Sequence, residues 1–181
     1  MKNCIKIKAF LLGAFLLYIG CANDNKLENQ STISKLESKL YSDTVNRINF
    51  EIAKSLIDEY AKYTQLYPND TMSPLYAFKA GELNLSMNLP KIAFGYFDQV
   101  ATKFPQNRKS SFATFMKGFI YDGPLNDTAL ARKYYTEFLV KYPNHPLAND
   151  AQFSMKNLGK SDEELVEEFE DKLKASGQTI Q

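Results

Sequence analysis

Histidine, cysteine and paired carboxylates are the side chains with which a short chain could bind a metal or break a bond, and here the first two are scarce. The sequence holds two cysteines, Cys4 and Cys21, and one histidine, His145. Structural zinc takes four ligands drawn mainly from these types, and no ordinary set can be assembled. His145 lies in Asn144-His145-Pro146, between helical segments, and reads as a solvated loop residue. A Ser-His-Asp arrangement brought together only in space stays open. Gly118 and Gly123 lack both the spacing and the preceding strand of a phosphate loop. Carboxylates are plentiful but fall on polar helix faces, and paired-acid catalysis needs one of its acids desolvated. The expectation is a protein without catalysis, cofactor or metal.

One cysteine does stand in a reactive context. The stretch from Met1 to Lys8 carries Lys2, Lys6 and Lys8 and no acid, and leads into an apolar run from Ala9 to Gly20 of twelve residues. Crossing a hydrocarbon core of ~30 Å takes about 20 helical residues, so the run fits a signal-peptide core better than a membrane span. It ends Tyr18-Ile19-Gly20-Cys21, and polar sequence follows at once with Asn23, Asp24, Asn25 and Lys26. This ending resembles a bacterial lipobox, in which a small residue precedes a cysteine that is diacylated, exposed by cleavage and then N-acylated. It departs from the lipobox at Tyr18, where leucine is usual. The resemblance implies a lipoprotein signal peptide over 1–20 and lipidation of Cys21. Plain cleavage near Gly20 with a free Cys21 is the alternative. A single mature cysteine cannot close an internal disulfide, so acylation gives it a role. Several acyl chains at ~0.8 kcal/mol per buried methylene make a lasting anchor, where one alone is marginal. Ala22 and Asp24 form no inner-membrane retention signal of the enteric kind. The expected location is therefore exported and lipid-anchored in the outer membrane, with the periplasmic face preferred over the cell surface.

At 181 residues one domain is expected. The composition is globular, with 44% hydrophobic and 24% charged residues, and is aromatic-rich, with 13 Phe and 11 Tyr against no Trp. Formal net charge is +1, but without the three lysines of the leader 19 basic residues face 21 acidic ones. No basic excess remains to hold a phosphate backbone, which argues against nucleic acid as a partner.

Residues 21–31 are polar apart from Leu27 and read as a flexible tether, and 32–181 as a helical repeat domain. A short helix is expected over 32–41, with Ile33, Leu36 and Leu40 on one face. Further helices are expected at about 45–66, 73–87, 90–104, 109–122, 127–142, 146–157 and 161–175. Prolines and their turns separate them. Ser73 is expected to cap one helix, with Pro74 in its first turn. Ser161 with Glu164 has capping-box spacing at the start of the last. That helix places Leu165, Phe169 and Leu173 on one face and acids on the other, and suits the end of a solenoid.

Three segments end alike: Leu66-Tyr67-Pro68, Lys103-Phe104-Pro105 and Lys141-Tyr142-Pro143, with proline spacings of 37 and 38. Counting back from Pro105 gives Val100, Phe97, Ala93 and Gly81. Counting back from Pro143 gives Phe138, Tyr135, Ala131 and Gly118, with one residue inserted after the glycine. These two runs resemble the tetratricopeptide repeat. The first copy, with Leu56, Tyr60, Tyr63 and Pro68, lacks the glycine. The longer period and the aromatic-proline endings are similar to the repeats of BamD-like β-barrel assembly lipoproteins and CpoB-like envelope proteins. The resemblance implies an all-α, tetratricopeptide-type helical-hairpin solenoid of about three repeats with a C-terminal capping helix. It assigns Gly81, Ala93, Phe97, Gly118, Ala131 and Tyr135 to repeat packing.

The family lines its concave face with the first helix of each pair. Phe112, Phe115, Met116 and Phe119 lie roughly 60–160° round from Gly118 at about 100° per residue. The corresponding positions one repeat earlier are Leu75, Phe78, Lys79 and Glu82. Leu75, Phe78, Glu82, Phe112, Phe115, Met116 and Phe119 are thus candidates for a groove that takes a helix or extended peptide. Inter-repeat core is the equal alternative, and the helix of Ile33, Leu36 and Leu40 could itself fill the groove. The implied function is a lipid-anchored envelope scaffold for a protein or peptide partner, with outer-membrane assembly as one setting. The alternative is a self-associating structural lipoprotein, with Leu27 to Leu40 as an oligomerising helix. The oligomeric state is left open.

Overall fold

A computed structural model describes residues 18–42 and 48–175, without the side chains of 18–24 and of Asp162. The leader, apart from its last three residues, lies outside them. Eight helices make up the described residues, and no strand occurs among them: α1 Tyr18–Ser42, α2 Phe50–Leu66, α3 Ser73–Ser86, α4 Pro90–Lys103, α5 Arg108–Asp122, α6 Thr128–Lys141, α7 Ala148–Asn157 and α8 Asp162–Ala175. None of these is long and apolar enough to cross a membrane.

The helix ends follow from local chemistry. Asn49 and Asp127 accept hydrogen bonds from Ile52 N (3.2 Å) and Leu130 N (2.9 Å), satisfying amides that the helices leave without partners. Ser161 and Glu164 form the reciprocal pair of a capping box, Ser161 N donating to Glu164 Oε2 (2.7 Å) and Glu164 N to Ser161 Oγ (3.2 Å). Ser73 does something other than cap. It is already helical, and its buried hydroxyl donates to Tyr67 O (2.6 Å), tying α3 to the end of α2.

Consecutive helices pair as hairpins, α1 with α2, α3 with α4 and α5 with α6, and each hairpin packs on the first helix of the next. Three cores result. Ile33 and Leu40 of α1 join Ala53, Leu56, Tyr60 and Tyr63 of α2, closed by Tyr76, Ala80 and Leu83 of α3. Ala93, Phe97 and Val100 of α4 lie between Phe78 of α3 and Ile120 of α5. Ala131, Tyr135 and Phe138 of α6 are covered by Ala151 of α7. α8 makes no extended packing with the other described helices, and its Val166 and Phe169 are exposed.

The N-terminal segment differs from the expected tether and short helix. α1 is one helix through both, because its polar residues find partners on α2, on α3 and in the turn between them. Lys26 pairs with Asp70, Gln30 donates to Tyr63 Oη (3.0 Å), and Glu37 accepts from Tyr60 Oη (2.6 Å) and from Lys79 Nζ (2.6 Å). Ile33 and Leu40 are buried against α2 and α3. That face is therefore used within the chain. It does not fill a groove on α5, and of the Leu27 to Leu40 stripe in the alternative reading Leu27 stays exposed while Ile33 and Leu40 are buried.

Candidate protein-binding face

The repeat packing turns on two glycines. A Cβ on Gly81 would stand 2.8 Å from the Phe97 ring, and one on Gly118 would stand 2.6 Å from the Tyr135 ring. Each aromatic thus lies in the space a side chain would need, and the paired helices approach accordingly. Ala93 and Ala131 are fully buried in the same layers. Two left-handed asparagines turn the chain inside the hairpins, Asn88 at φ 58° and Asn126 at φ 47°. Asparagine tolerates that conformation better than most residues.

The turns between hairpins share a second device, at the position two residues after each proline. Asp70 Oδ1 accepts from Met72 N (2.9 Å), Asn107 Oδ1 from Lys109 N (2.9 Å) and His145 Nδ1 from Leu147 N (3.2 Å). His145 is therefore not the solvated loop residue expected. It is half-buried, its Nε2 lies 3.1 Å from Ser111 Oγ, and its ring packs edge-on against Phe112 and Phe138. With Nδ1 accepting, the proton of a neutral ring sits on Nε2 and is donated to Ser111. The histidine serves as a turn residue, and the shared offset from Pro68, Pro105 and Pro143 was the signal for it. Asp70 carries more. Burial draws its carboxyl upward, but hydrogen bonds from Lys26, Met72 N and Tyr63 outweigh burial and hold it below the usual carboxylate range.

The seven groove candidates divide. Phe112 and Phe119 are exposed, at 38% and 43%, as is Glu82 on α3. Burial around the Glu82 carboxyl raises its pKa, while Lys109 and Lys79 act in the opposite direction. Leu75 is half-buried. Phe78 belongs to the core, and Phe115 and Met116 are half-buried against it. Phe78 is buried, its ring edge-on to Phe97 (centroids 5.2 Å) and covered by Lys109 Nζ at 4.4 Å. Phe115 meets both Tyr135 and Phe138 at 5.5 Å, and Met116 packs on the α3–α5 core. The physical reason is that α5 touches α3, α4 and α6. Neighbours on three sides leave only the narrow i, i+7 stripe of Phe112 and Phe119 open.

Two features escaped the sequence. Lys117, buried in the middle of α5, reaches Asp98 of α4 (2.9 Å) and Glu137 of α6 (3.6 Å), with its Nζ 4.6 Å above the Tyr134 ring. Partners on both neighbouring helices satisfy a charge that burial would otherwise penalise heavily. On the side of the second helices, a cleft of ≈ 450 Å³ runs between α2 and α4, lined in part by Thr64, Gln65, Ile92, Gly95 and Tyr96. Among the described residues no three or more His, Cys, Asp or Glu side chains are grouped to hold a metal ion.

No curated protein matches the chain closely enough to count as a relative. Residues 112–145 match the family model described as Tetratricopeptide repeat. The match begins at Phe112 and takes in Gly118, Ala131, Tyr135 and Pro143, so the α5–α6 hairpin and its following turn form a tetratricopeptide repeat within an all-helical solenoid of stacked hairpins.

Proposed function

We propose that the chain is a lipid-anchored scaffold of the bacterial cell envelope that holds a protein partner against its first-of-pair helices and performs no catalysis. The observation that carries this reading is the exposed pair Phe112 and Phe119 on the one hairpin that matches the family model. Two large apolar side chains in line on one face of a helix offer a partner apolar contact area. Lys109, with its Nζ 5.7 Å from the Phe112 ring, and Glu82, which interacts with it, add charge near that end, which suits an amphipathic helix or extended segment with both apolar and charged positions. Tetratricopeptide repeats are interaction modules, and the match at 112–145 supports the same use here. Export and acylation of Cys21 rest on the leader and its lipobox-like ending. Outer-membrane assembly rests on the similarity to BamD-like and CpoB-like repeats.

A photo-crosslinking residue placed in turn at Phe112 and Phe119 in cells tests the face. Discrete adducts at these sites, and none at exposed Ser55 of α2, are expected. Adducts at neither phenylalanine would remove the basis for the reading. Cys21→Ala tests the anchor separately, since membrane retention unchanged after a salt wash is incompatible with acylation there.

A further inference from the structure

All turns between hairpins lie on one edge of the solenoid, because each second helix ends there and each first helix begins there. Residues 66–73, 103–109 and 141–147 carry Lys103, Arg108, Lys109 and Lys141 against a single acid, Asp70, and Lys26 engages that acid. Lys103, Arg108 and Lys141 are exposed; Lys141 pairs with Glu137 (3.1 Å), and Asp150 stands in the first turn of α7, so Lys103 and Arg108 carry most of the excess. The opposite edge is balanced: 86–91, 122–128 and 157–161 hold Lys91 and Lys160 with Asp122 and Asp127. A chain whose helical domain is slightly acidic overall thus keeps its basic excess on one side.

That side is also where α1 starts. α1 runs antiparallel to α2, and Lys26 is fixed to Asp70 in the α2–α3 turn. Cys21 precedes Lys26 by five residues on the same helix. At 1.5 Å per residue this is about 7.5 Å along the axis. One leaflet's headgroup layer is about 5–8 Å thick, half the difference between a 30 Å core and a 40–45 Å bilayer. An anchor at Cys21 therefore leaves no slack between the bilayer and the turn edge.

We propose that the basic turn edge rests on the anionic surface of the membrane that holds the chain, so that the helices stand across the headgroup plane and the solenoid axis lies along it. This orientation rests on the acylation of Cys21 proposed above. Anionic lipid attracts basic segments within about a Debye length, ~8 Å at physiological salt. Lys103, Arg108 and Lys141 come within that range once Asp70 is at headgroup level. The face of Phe112 and Phe119 then opens sideways, parallel to the membrane.

The sequence contains no tryptophan, so a single one introduced reports its own position. The full acylated chain carrying Gln106→Trp, exposed in the α4–α5 turn, is compared with the chain carrying Ala129→Trp, exposed at the start of α6 on the opposite edge. Both are bound to phosphatidylcholine–phosphatidylglycerol vesicles containing lipid with a nitroxide on its headgroup. Quenching severalfold stronger at Gln106→Trp is expected. The gap should narrow when Lys103→Glu and Arg108→Glu are added or when phosphatidylglycerol is omitted. Equal quenching on vesicle-bound protein overturns the orientation and leaves the anchor standing. A gap indifferent to both charge changes overturns the part played by the basic edge. Protein that does not float with the vesicles at all overturns the anchor, and the orientation with it.

Discussion

The ring of Tyr135 occupies the space a side chain on Gly118 would need, with its nearest carbon 2.6 Å from the Cβ position. Phe97 stands in the same relation to Gly81. Alanine in a helix interior gains about 1 kcal/mol over glycine, whereas forcing a methyl into a packed layer costs about 1–3 kcal/mol. The contacts are with ring carbons that cannot swing away, so strain wins. Gly118→Ala and Gly81→Ala should each lower unfolding free energy by up to about 2 kcal/mol. Gly95 has no atom within 4 Å of its Cβ position, and Gly95→Ala should raise stability by about 0.5–1 kcal/mol. Urea midpoints of the three variants check both signs, and a stabilising Gly118→Ala would contradict the packing described.

Asp70 should make the docking of α1 acid-sensitive. Its carboxyl titrates below its ordinary value of 3.8 in the fold. A depressed folded pKa contributes stability that is fully present above the unfolded value and lost as pH falls through the folded one. Asp70→Asn should cost about 1.5–3 kcal/mol at pH 7, in line with hydrogen bonds to a charged group. The difference from the parent chain should shrink as pH drops below 3.8. Denaturant unfolding at pH 7 and at acid pH measures it. A constant difference would mean that the charge of Asp70 is irrelevant.

Lys117 links three helices through Asp98 and Glu137. Lys117→Ala removes the charge and leaves a cavity where the aliphatic stem packed, and should cost about 2–3 kcal/mol. Lys117→Met keeps most of the volume, and Asp98 and Glu137 are exposed enough, at 43% and 30%, to regain water. The methionine variant should therefore lose at most about half as much. Thermal or urea unfolding separates the two, and equal losses would show that the stem contributes nothing.

His145 holds its turn through Nδ1 as Asn107 does through Oδ1. His145→Asn should keep that bond, so it should remain about 1 kcal/mol more stable than His145→Ala, the usual worth of a cap. Both lose the ring contacts with Phe112 and Phe138, which makes the pair a controlled comparison. Identical midpoints would mean that the Leu147 amide bond is worth nothing.

The hairpins were legible because their markers are local. Proline with an aromatic before it, alanine twelve residues upstream and a glycine beyond that fix α3 to α6 with little dependence on context. The apolar face of Ile33, Leu36 and Leu40 made the second half of α1 legible, but the part before Thr32 was not, since Lys26 and Gln30 are ordered by an aspartate and a tyrosine that are distant in sequence. Lys117 carried no signal in the sequence for the same reason, because only the three-helix arrangement supplies its carboxylates. The groove was half legible. A helical wheel gives the direction of Phe112 to Phe119, but the packing of α3, α4 and α6 decides that Phe115 and Met116 turn inward.

The first core has a temporal consequence. Ile33 and Leu40 belong to α1, yet the layer they enter is completed by Tyr76, Ala80 and Leu83 of α3. A ribosome adding about 5–20 residues per second needs about 2–8 s to pass from the end of α1 to Leu83. During that interval the nascent N-terminal hairpin has an unfinished apolar side. Whatever accompanies the emerging chain must shield that side until the third helix arrives.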